Sequence, residues 1–281
     1  GLMGGTRGIH LVLRKPELTA QLKGRMLYFE TRDCRACAVL PLDETHVYVG
    51  TTDIRVDDPD DRRYSKQEID YLFDALRDVA PGERFSQDDI VFIMSGIRPL
   101  PAQDTESTGQ ISRGHRLDVL PAGDDRGFVT LTLVGGKWTT YRAFSEQICD
   151  TVLERIGRVR QKGTHDIPVG GARNLPAADG PRRRWISDLA LDTRLDIKRC
   201  AVLCQRYGAK AQQFADHDSR NDQRFESFEG YTPAEIELIC CEERVTALLD
   251  VVMRRTLMVF EGRVTLASLY EVAIVVGRVL G

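Results

Sequence analysis

The chain has 281 residues, enough for one large or two ordinary domains, and its 42% hydrophobic and 29% charged residues fit a soluble globular protein. A formal net charge of -3 gives nucleic-acid binding no global electrostatic support. No signal peptide and no apolar run of about 18 residues is evident, so nothing reads as spanning a membrane, and the seven cysteines lack a disulfide framework and suggest a reducing compartment.

Residues 8–50 read as strands. Ile9 to Leu13 is apolar except for His10, and Met26 to Phe29, Ala36 to Leu40 and His46 to Val49 follow between turn and charged residues. Gly4-Gly5-Thr6-Arg7-Gly8 neither follows a hydrophobic strand nor opens a helix, so it is not a dinucleotide-binding fingerprint. Cys34-Arg35-Ala36-Cys37 is a lone CxxC ahead of a strand, without the second ligand pair of a zinc site. Gly50-Thr51-Thr52-Asp53 closes a strand, and Asp57 to Asp61 is an acidic loop without the ligand spacing of a calcium site. No metal site is expected.

Ser65-Lys66-Gln67-Glu68 is a capping box. Ile69, Leu72, Phe73 and Leu76 then share one helical face, stopped by Pro81-Gly82. Ile90 to Met94 is an apolar strand that delivers Ser95-Gly96-Ile97-Arg98-Pro99. Residues 101–110 form a polar loop, Ile111, Leu117 and Val119 belong to a strand region, and 121–127 is a turn.

Val129 to Val134 alternates as a strand and ends at Gly135-Gly136. The helix that follows places Tyr141, Ile148, Val152 and Ile156 near one face. The first N–H groups of a helix lack intrahelical partners, and its dipole favours negative charge there. The two glycines let a ligand approach the backbone, while Lys137, Thr139 and Thr140 add a charge and hydroxyls. A plain strand-to-helix turn with a solvated lysine fits the same residues.

Gly157 to Gly171 reads as a linker, and from Pro181 the pattern is helical. Trp185 and Leu189 open one helix. Cys200, Leu203, Cys204 and Tyr207 face inward on another, ended by Gly208. Thr232-Pro233-Ala234-Glu235 starts a third. A run from Val245 to Phe260 and a helix from Leu266 to Leu280 complete a helical domain, with Asp250 and Arg254 spaced to pair. The expected architecture is an α/β (α+β) substrate domain with a mixed or antiparallel sheet over 1–160, then an all-α domain over 161–281.

Several segments together resemble FAD-dependent glycerol-3-phosphate dehydrogenases. They are Arg7-Gly8-Ile9-His10-Leu11-Val12, Gly50-Thr51-Thr52-Asp53, Ser95-Gly96-Ile97-Arg98-Pro99-Leu100, Ile111-Ser112-Arg113 and Gly135-Gly136-Lys137-Trp138-Thr139-Thr140-Tyr141-Arg142, in the family's order. That family carries its dinucleotide-binding unit at the N-terminus, so the sequence reads as the C-terminal portion of a longer protein.

The resemblance implies FAD as cofactor and sn-glycerol 3-phosphate as substrate. It implies hydride transfer from C2 to flavin N5 and electrons passed to a quinone pool at the membrane surface. The location it suggests is cytoplasmic or peripheral on the inner face of the membrane, and it leaves a homodimer open. Arg98 is the expected contact for phosphate, whose planar fork suits it, with Arg113 second. His10 is the expected base at the C2 hydroxyl, although a histidine in an apolar strand is also an ordinary core residue. Thr51 and Asp53 are substrate-side residues or simply fix a turn. Gly135, Gly136, Lys137, Trp138 and Thr139 are the expected flavin contacts, with N–H groups at the edge where negative charge develops and Lys137 also in reach of catalysis. A flavin oxidase of the amino-acid or hydroxy-acid type, and a non-catalytic module, are the alternatives.

Overall fold

The structure, a computed structural model, describes residues 2–58, 60–103, 105, 108–124, 126–221 and 223–281. Pro59 of the acidic loop, Asp104, Glu106 and Ser107 of the polar loop and Asp125 of the turn lie outside the described residues. The chain divides into two compact units, residues 1–166 and 167–281.

The first unit is organised on β1 (Met3–Arg14). Its Ile9, Leu11 and Leu13 alternate toward the core and are fully buried. β2 (Leu27–Glu30), β3 (Ala36–Pro41) and β4 (His46–Gly50) form an antiparallel meander that joins β1 through β4. The short β5 (Ile54–Arg55) pairs further along β1, opposite Thr6 and Arg7. β6 (Ile90–Pro101) pairs with β1 over nearly its whole length. Every pairing is antiparallel, which decides between the two expected sheet types.

Two expectations change here. Gly4 to Gly8 is strand, inside β1. Arg98 lies within β6 opposite Thr6, not after its end. β6 tolerates Pro99 and Pro101 because, among the described residues, β1 is its one partner in the sheet, and a proline lacks the N–H that a second ladder would need.

α1 (Pro16–Leu22) starts at a proline and was not evident from periodicity. α2 (Lys66–Val79) has the Ser65–Glu68 capping box. Its Ile69, Leu72, Phe73 and Leu76 pack with Leu18 and Leu22 of α1 against Ile9, Leu11 and Leu13. Burying those four α2 side chains contributes roughly 6–12 kcal/mol before the entropy of ordering them. Both helices therefore cover one face of the sheet. Opposite-facing partners in the register leave Gly8, His10, Tyr48, Gly50, Met94, Gly96 and Arg98 on the other.

β7 (His115–Leu120) and β8 (Thr130–Gly135) make a separate two-stranded sheet. After β8 a 3₁₀ turn, Trp138–Thr140, precedes α3 (Tyr141–Arg155). The expected α3 face does not form a core: Tyr141, Val152 and Ile156 are exposed, and Phe144 is the buried residue. Ile111 is buried but lies outside β7.

The second unit is helical: α4 (Asp179–Thr193), α5 (Ile197–Tyr207), α6 (Ala211–Asp218) and α7 (Pro233–Glu242), then α8 (Leu248–Asp250) and α9 (Leu266–Leu280). Leu189, Cys200, Leu203, Phe214, Ile236, Ile239, Met258, Val272 and Val275 build its core. Cys240 is buried and Cys241 exposed, as adjacent helical positions require. The 245–260 run is not one helix. The Asp250 carboxylate accepts from the N–H groups of Thr246 and Ala247 and caps the start of α8, whose single turn passes into a π-helical turn, Val251–Arg255. Asp250 still pairs with Arg254 at 3.0 Å.

Candidate active site

The open face of the first unit's sheet is kept low by glycines. A Cβ on Gly8 would stand 2.2 Å from Nη2 of Arg98, and one on Gly50 would stand 2.0 Å from Cδ2 of His10. The guanidinium and the imidazole thus lie down over bare backbone. In front of Gly96, by contrast, nothing lies within 4 Å of the Cβ position.

Arg98 is held at several points. Its Nη1 donates to Asp53 Oδ1 at 3.1 Å, and Nη2 donates to Thr51 Oγ1 at 2.7 Å and to the Thr52 carbonyl at 3.2 Å. Its side chain is 25% exposed, and burial lowers its pKa despite the Asp53 charge. His10 stacks on Tyr48 with ring centroids 4.7 Å apart and planes 9° from parallel. Burial, with the Arg98 charge second, holds the imidazole down to about 4, so it is neutral at neutral pH. Its Nδ1 is buried without a hydrogen-bond partner. Burial pushes the Tyr48 phenol up to about 12.

The Gly50 to Asp53 stretch closes β4, as expected, and leads into β5, with Thr52 keeping the ladder closed across the gap. Thr52 Oγ1 accepts from the Ile9 N–H at 2.9 Å and donates to Glu68 Oε1 at 3.1 Å. Glu68 is 3% exposed and accepts from Arg7 at 2.9 Å and from the Ser65 N–H at 2.9 Å. One carboxylate therefore caps α2, neutralises Arg7 and fixes the turn that seats Arg98. Arg35 adds a 2.6 Å hydrogen bond to the Asp53 carbonyl.

Of the expected residues, the sheet brings together His10, Thr51, Asp53 and Arg98. Arg113 is exposed, and its charge reaches Arg98. Gly135, Gly136, Lys137, Trp138 and Thr139 form a second group. Gly135 (φ +73°) and Gly136 (φ +103°) turn the chain, and a Cβ on Gly135 would stand 3.0 Å from Cγ of Pro101 at the end of β6. Lys137 and Thr139 are exposed, and Trp138 is 90% exposed. Thr140, not Thr139, closes the turn: its hydroxyl donates to the Lys137 carbonyl at 2.9 Å. Tyr48, Glu68, Arg7 and Arg35 take part without having been singled out for the site. Tyr48 is the one with a sequence signal, an aromatic residue two positions before Gly50 and so on the same strand face.

The residues present suit a flat redox cofactor. The sheet offers a low floor at Gly96 and an orphaned ring nitrogen on His10, and the Gly135-Gly136 turn offers bare backbone ahead of the 3₁₀ turn that leads into α3. Among the described residues no group of three or more histidines, cysteines or carboxylates could hold a metal ion.

Comparison with known proteins gives a consistent picture. Residues 2–142 match the family described as FAD dependent oxidoreductase, and residues 162–281 match the C-terminal domain of alpha-glycerophosphate oxidase. The chain is 36% identical over 220 residues to a glycerol-3-phosphate dehydrogenase of Synechocystis, an alignment covering 74% of this chain and 36% of that protein. It is 26% identical over 263 residues to the aerobic glycerol-3-phosphate dehydrogenase of Bacillus subtilis, covering 89% and 45%. The chain therefore spans less than half the length of these curated relatives. The fold resembles the structure of the glycerol-3-phosphate dehydrogenase from Bacillus halodurans complexed with FAD, with a TM-score of 0.72 and 22% identity over 99% of this chain and 52% of that one. With half of its residues matched by one family and most of the remainder by that C-terminal domain, the chain belongs to the FAD-dependent oxidoreductases, with glycerol-3-phosphate dehydrogenases among its relatives.

Proposed function

We propose that this chain supplies the substrate-facing surface of an enzyme that oxidises sn-glycerol 3-phosphate to dihydroxyacetone phosphate. The observation that carries this reading is the pairing of a neutral His10 with an anchored Arg98 on one open sheet face. FAD, when bound, would accept the hydride from C2 at its N5 and pass the electrons to a quinone.

The residues divide the remaining work. Arg98 offers a fixed fork to the phosphate or hydroxyl end, with Arg113 as a second cation. A neutral imidazole can accept the C2 hydroxyl proton, and the His10 lone pair is free for it at neutral pH. Thr51 and Asp53 hold Arg98 at the substrate side. Gly135, Gly136, Lys137, Trp138 and Thr139 would hold the cofactor, with Lys137 also in reach of substrate, and N–H donors there would stabilise negative charge as it develops. In this reading residues 1–160 are the flavin-facing domain and 161–281 a helical domain. In this reading the protein is cytoplasmic or peripheral on the inner face of the membrane, where the quinone pool would be in reach. No helix among the described residues is long and apolar enough to cross one.

A second reading has one observation in its favour. Tyr48 lies beside His10 and within electrostatic reach of Arg98, the kind of Arg–Tyr pair that suits a carboxylate substrate. The test is anaerobic bleaching of the flavin in the FAD-loaded protein that carries this chain. Bleaching by glycerol 3-phosphate that is lost in Arg98→Ala supports the proposal. Bleaching by a 2-hydroxy acid or an amino acid, with none by glycerol 3-phosphate, overturns it in favour of the second reading.

A further inference from the structure

The helical unit holds a cavity of about 710 Å³ with a cationic and aromatic lining. α5 lines it with Lys198, Arg199 and Arg206, and the 219–232 segment adds Arg224 with Phe225, Phe228 and Tyr231. Arg263 completes the wall ahead of α9.

The cations are pre-organised from behind. Glu235 is 1% exposed and accepts from Arg199 at 2.6 Å, from Arg206 at 3.0 Å and from the Tyr207 hydroxyl. Asp218, also 1% exposed, accepts from Arg199 Nε at 2.9 Å. Gly230 (φ +100°) brings bare backbone between two guanidinium groups. A Cβ there would stand 3.9 Å from both Arg206 Nη2 and Arg263 Cζ, and its carbonyl accepts from Arg206 at 2.6 Å. The Arg206 guanidinium lies 3.7 Å from the Tyr231 ring centroid, and Phe225 and Phe228 stack at 4.6 Å.

Cations exceed carboxylates at the cavity by one charge. Five cations and two carboxylates, Glu229 and Glu261, line it, Arg263 pairs with Glu261 at 2.8 Å, and Asp218 and Glu235 sit behind the guanidiniums they hold. Lys198 and Arg224 extend the positive wall. Arg224 donates to the carbonyls of Asn221 and Gln223 on its own segment and stays 3.7 Å from Asp218 Oδ1, a buried oxygen with no hydrogen-bond partner. A dense set of fixed forks beside stacked aromatic rings is the chemistry that takes a phosphate or carboxylate group attached to an apolar body.

We infer that this cavity is a binding site for a small organic anion of that class, separate from the sheet face proposed for catalysis. Phenyl phosphate and inorganic phosphate are the probes, titrated calorimetrically into the FAD-loaded protein. The Arg98→Ala background removes binding at the sheet face. Phenyl phosphate should bind there with a Kd below about 10 mM, and roughly tenfold more tightly than inorganic phosphate, because the rings gain a partner. Lys198→Ala with Arg224→Ala, two changes outside the buried core, should weaken it at least about tenfold while leaving the melting temperature of the unliganded protein in place. Three results would overturn the inference: no binding of phenyl phosphate in the Arg98→Ala background, equal affinity for the two probes, or affinity indifferent to the Lys198 and Arg224 changes.

Discussion

Gly50→Ala tests whether the His10 ring must lie where it does. The backbone at Gly50 is outside the left-handed region, so alanine meets no conformational penalty of that kind. The conflict is steric. The new Cβ would stand 2.0 Å from Cδ2 of His10 and 2.8 Å from its Nε2, whereas ordinary contact begins at 3.4 Å, so the ring must withdraw by about 1.4 Å. It cannot do so freely, because Tyr48 is stacked on it. Overpacking of this kind costs about 1–3 kcal/mol, which in a domain of this size lowers the melting temperature by a few degrees or more. The effect on turnover should be larger in proportion. Displacing a reacting group by about 1 Å can cost roughly a hundredfold in rate. The assay is stopped-flow bleaching of the FAD-loaded protein by glycerol 3-phosphate, with the melting temperature measured alongside. A variant that melts a few degrees lower yet bleaches within about twofold of the parent would refute a catalytic position for His10.

Gly96→Ala should have the opposite signature. Its Cβ meets nothing in the protein, so stability should hold while apparent substrate or flavin affinity falls, which a Kd titration beside a thermal melt reads directly. Thr52→Val removes the acceptor of the Ile9 N–H and one donor to Glu68, both buried, and should cost about 1–3 kcal/mol in urea unfolding. An unchanged midpoint would mean the turn is held elsewhere. The His10 pKa gives a pH dependence: at about 4 in the folded protein against an ordinary 6.5, the unfolded chain binds the extra proton across that window. Stability therefore falls as pH drops from 6.5 toward 4, and this group contributes nothing above that range. Melting curves of His10→Asn should be flatter than those of the parent between these two pH values, and equal slopes would show that the ring is not buried.

The legible parts of the fold were those with one dominant local cause. α2 follows from a capping box and a 3.6-residue apolar repeat, and the structure has both. The core strands follow from short apolar runs between turn and charged residues, and α7 from its cap at Thr232. The misplaced elements had causes distant in sequence. β6 continues through Ser95 to Pro101 because β1 offers a matching edge, which no local pattern announces. The expected inward face of α3 is exposed because packing, not periodicity, decides which face is covered. The family itself was legible from short segments, and their meaning is structural as well as chemical. In Arg7-Gly8-Ile9-His10 the arginine neutralises Glu68, the glycine makes room for Arg98, the isoleucine fills the core and the histidine faces the open side.

The same geometry assigns Arg98 a narrower task than its charge suggests. Its positive charge is matched by Asp53 at 3.1 Å, and Thr51 and the Thr52 carbonyl fix its plane. A group so compensated adds direction to a bound phosphate more than it adds net charge, since the Asp53 carboxylate repels the same dianion. In the proposed reaction further counter-charge would come from exposed cations. Arg113 and Lys137 are both exposed and both belong to the segments that resemble the family. Neither is locked by the sheet, so their cost is the entropy of ordering long side chains when substrate arrives, while Arg98 meets that cost in folding. In the proposed function, rigid orientation at Arg98 would be complemented by the exposed charges of Arg113 and Lys137, and of the three only Arg98 is built into a strand.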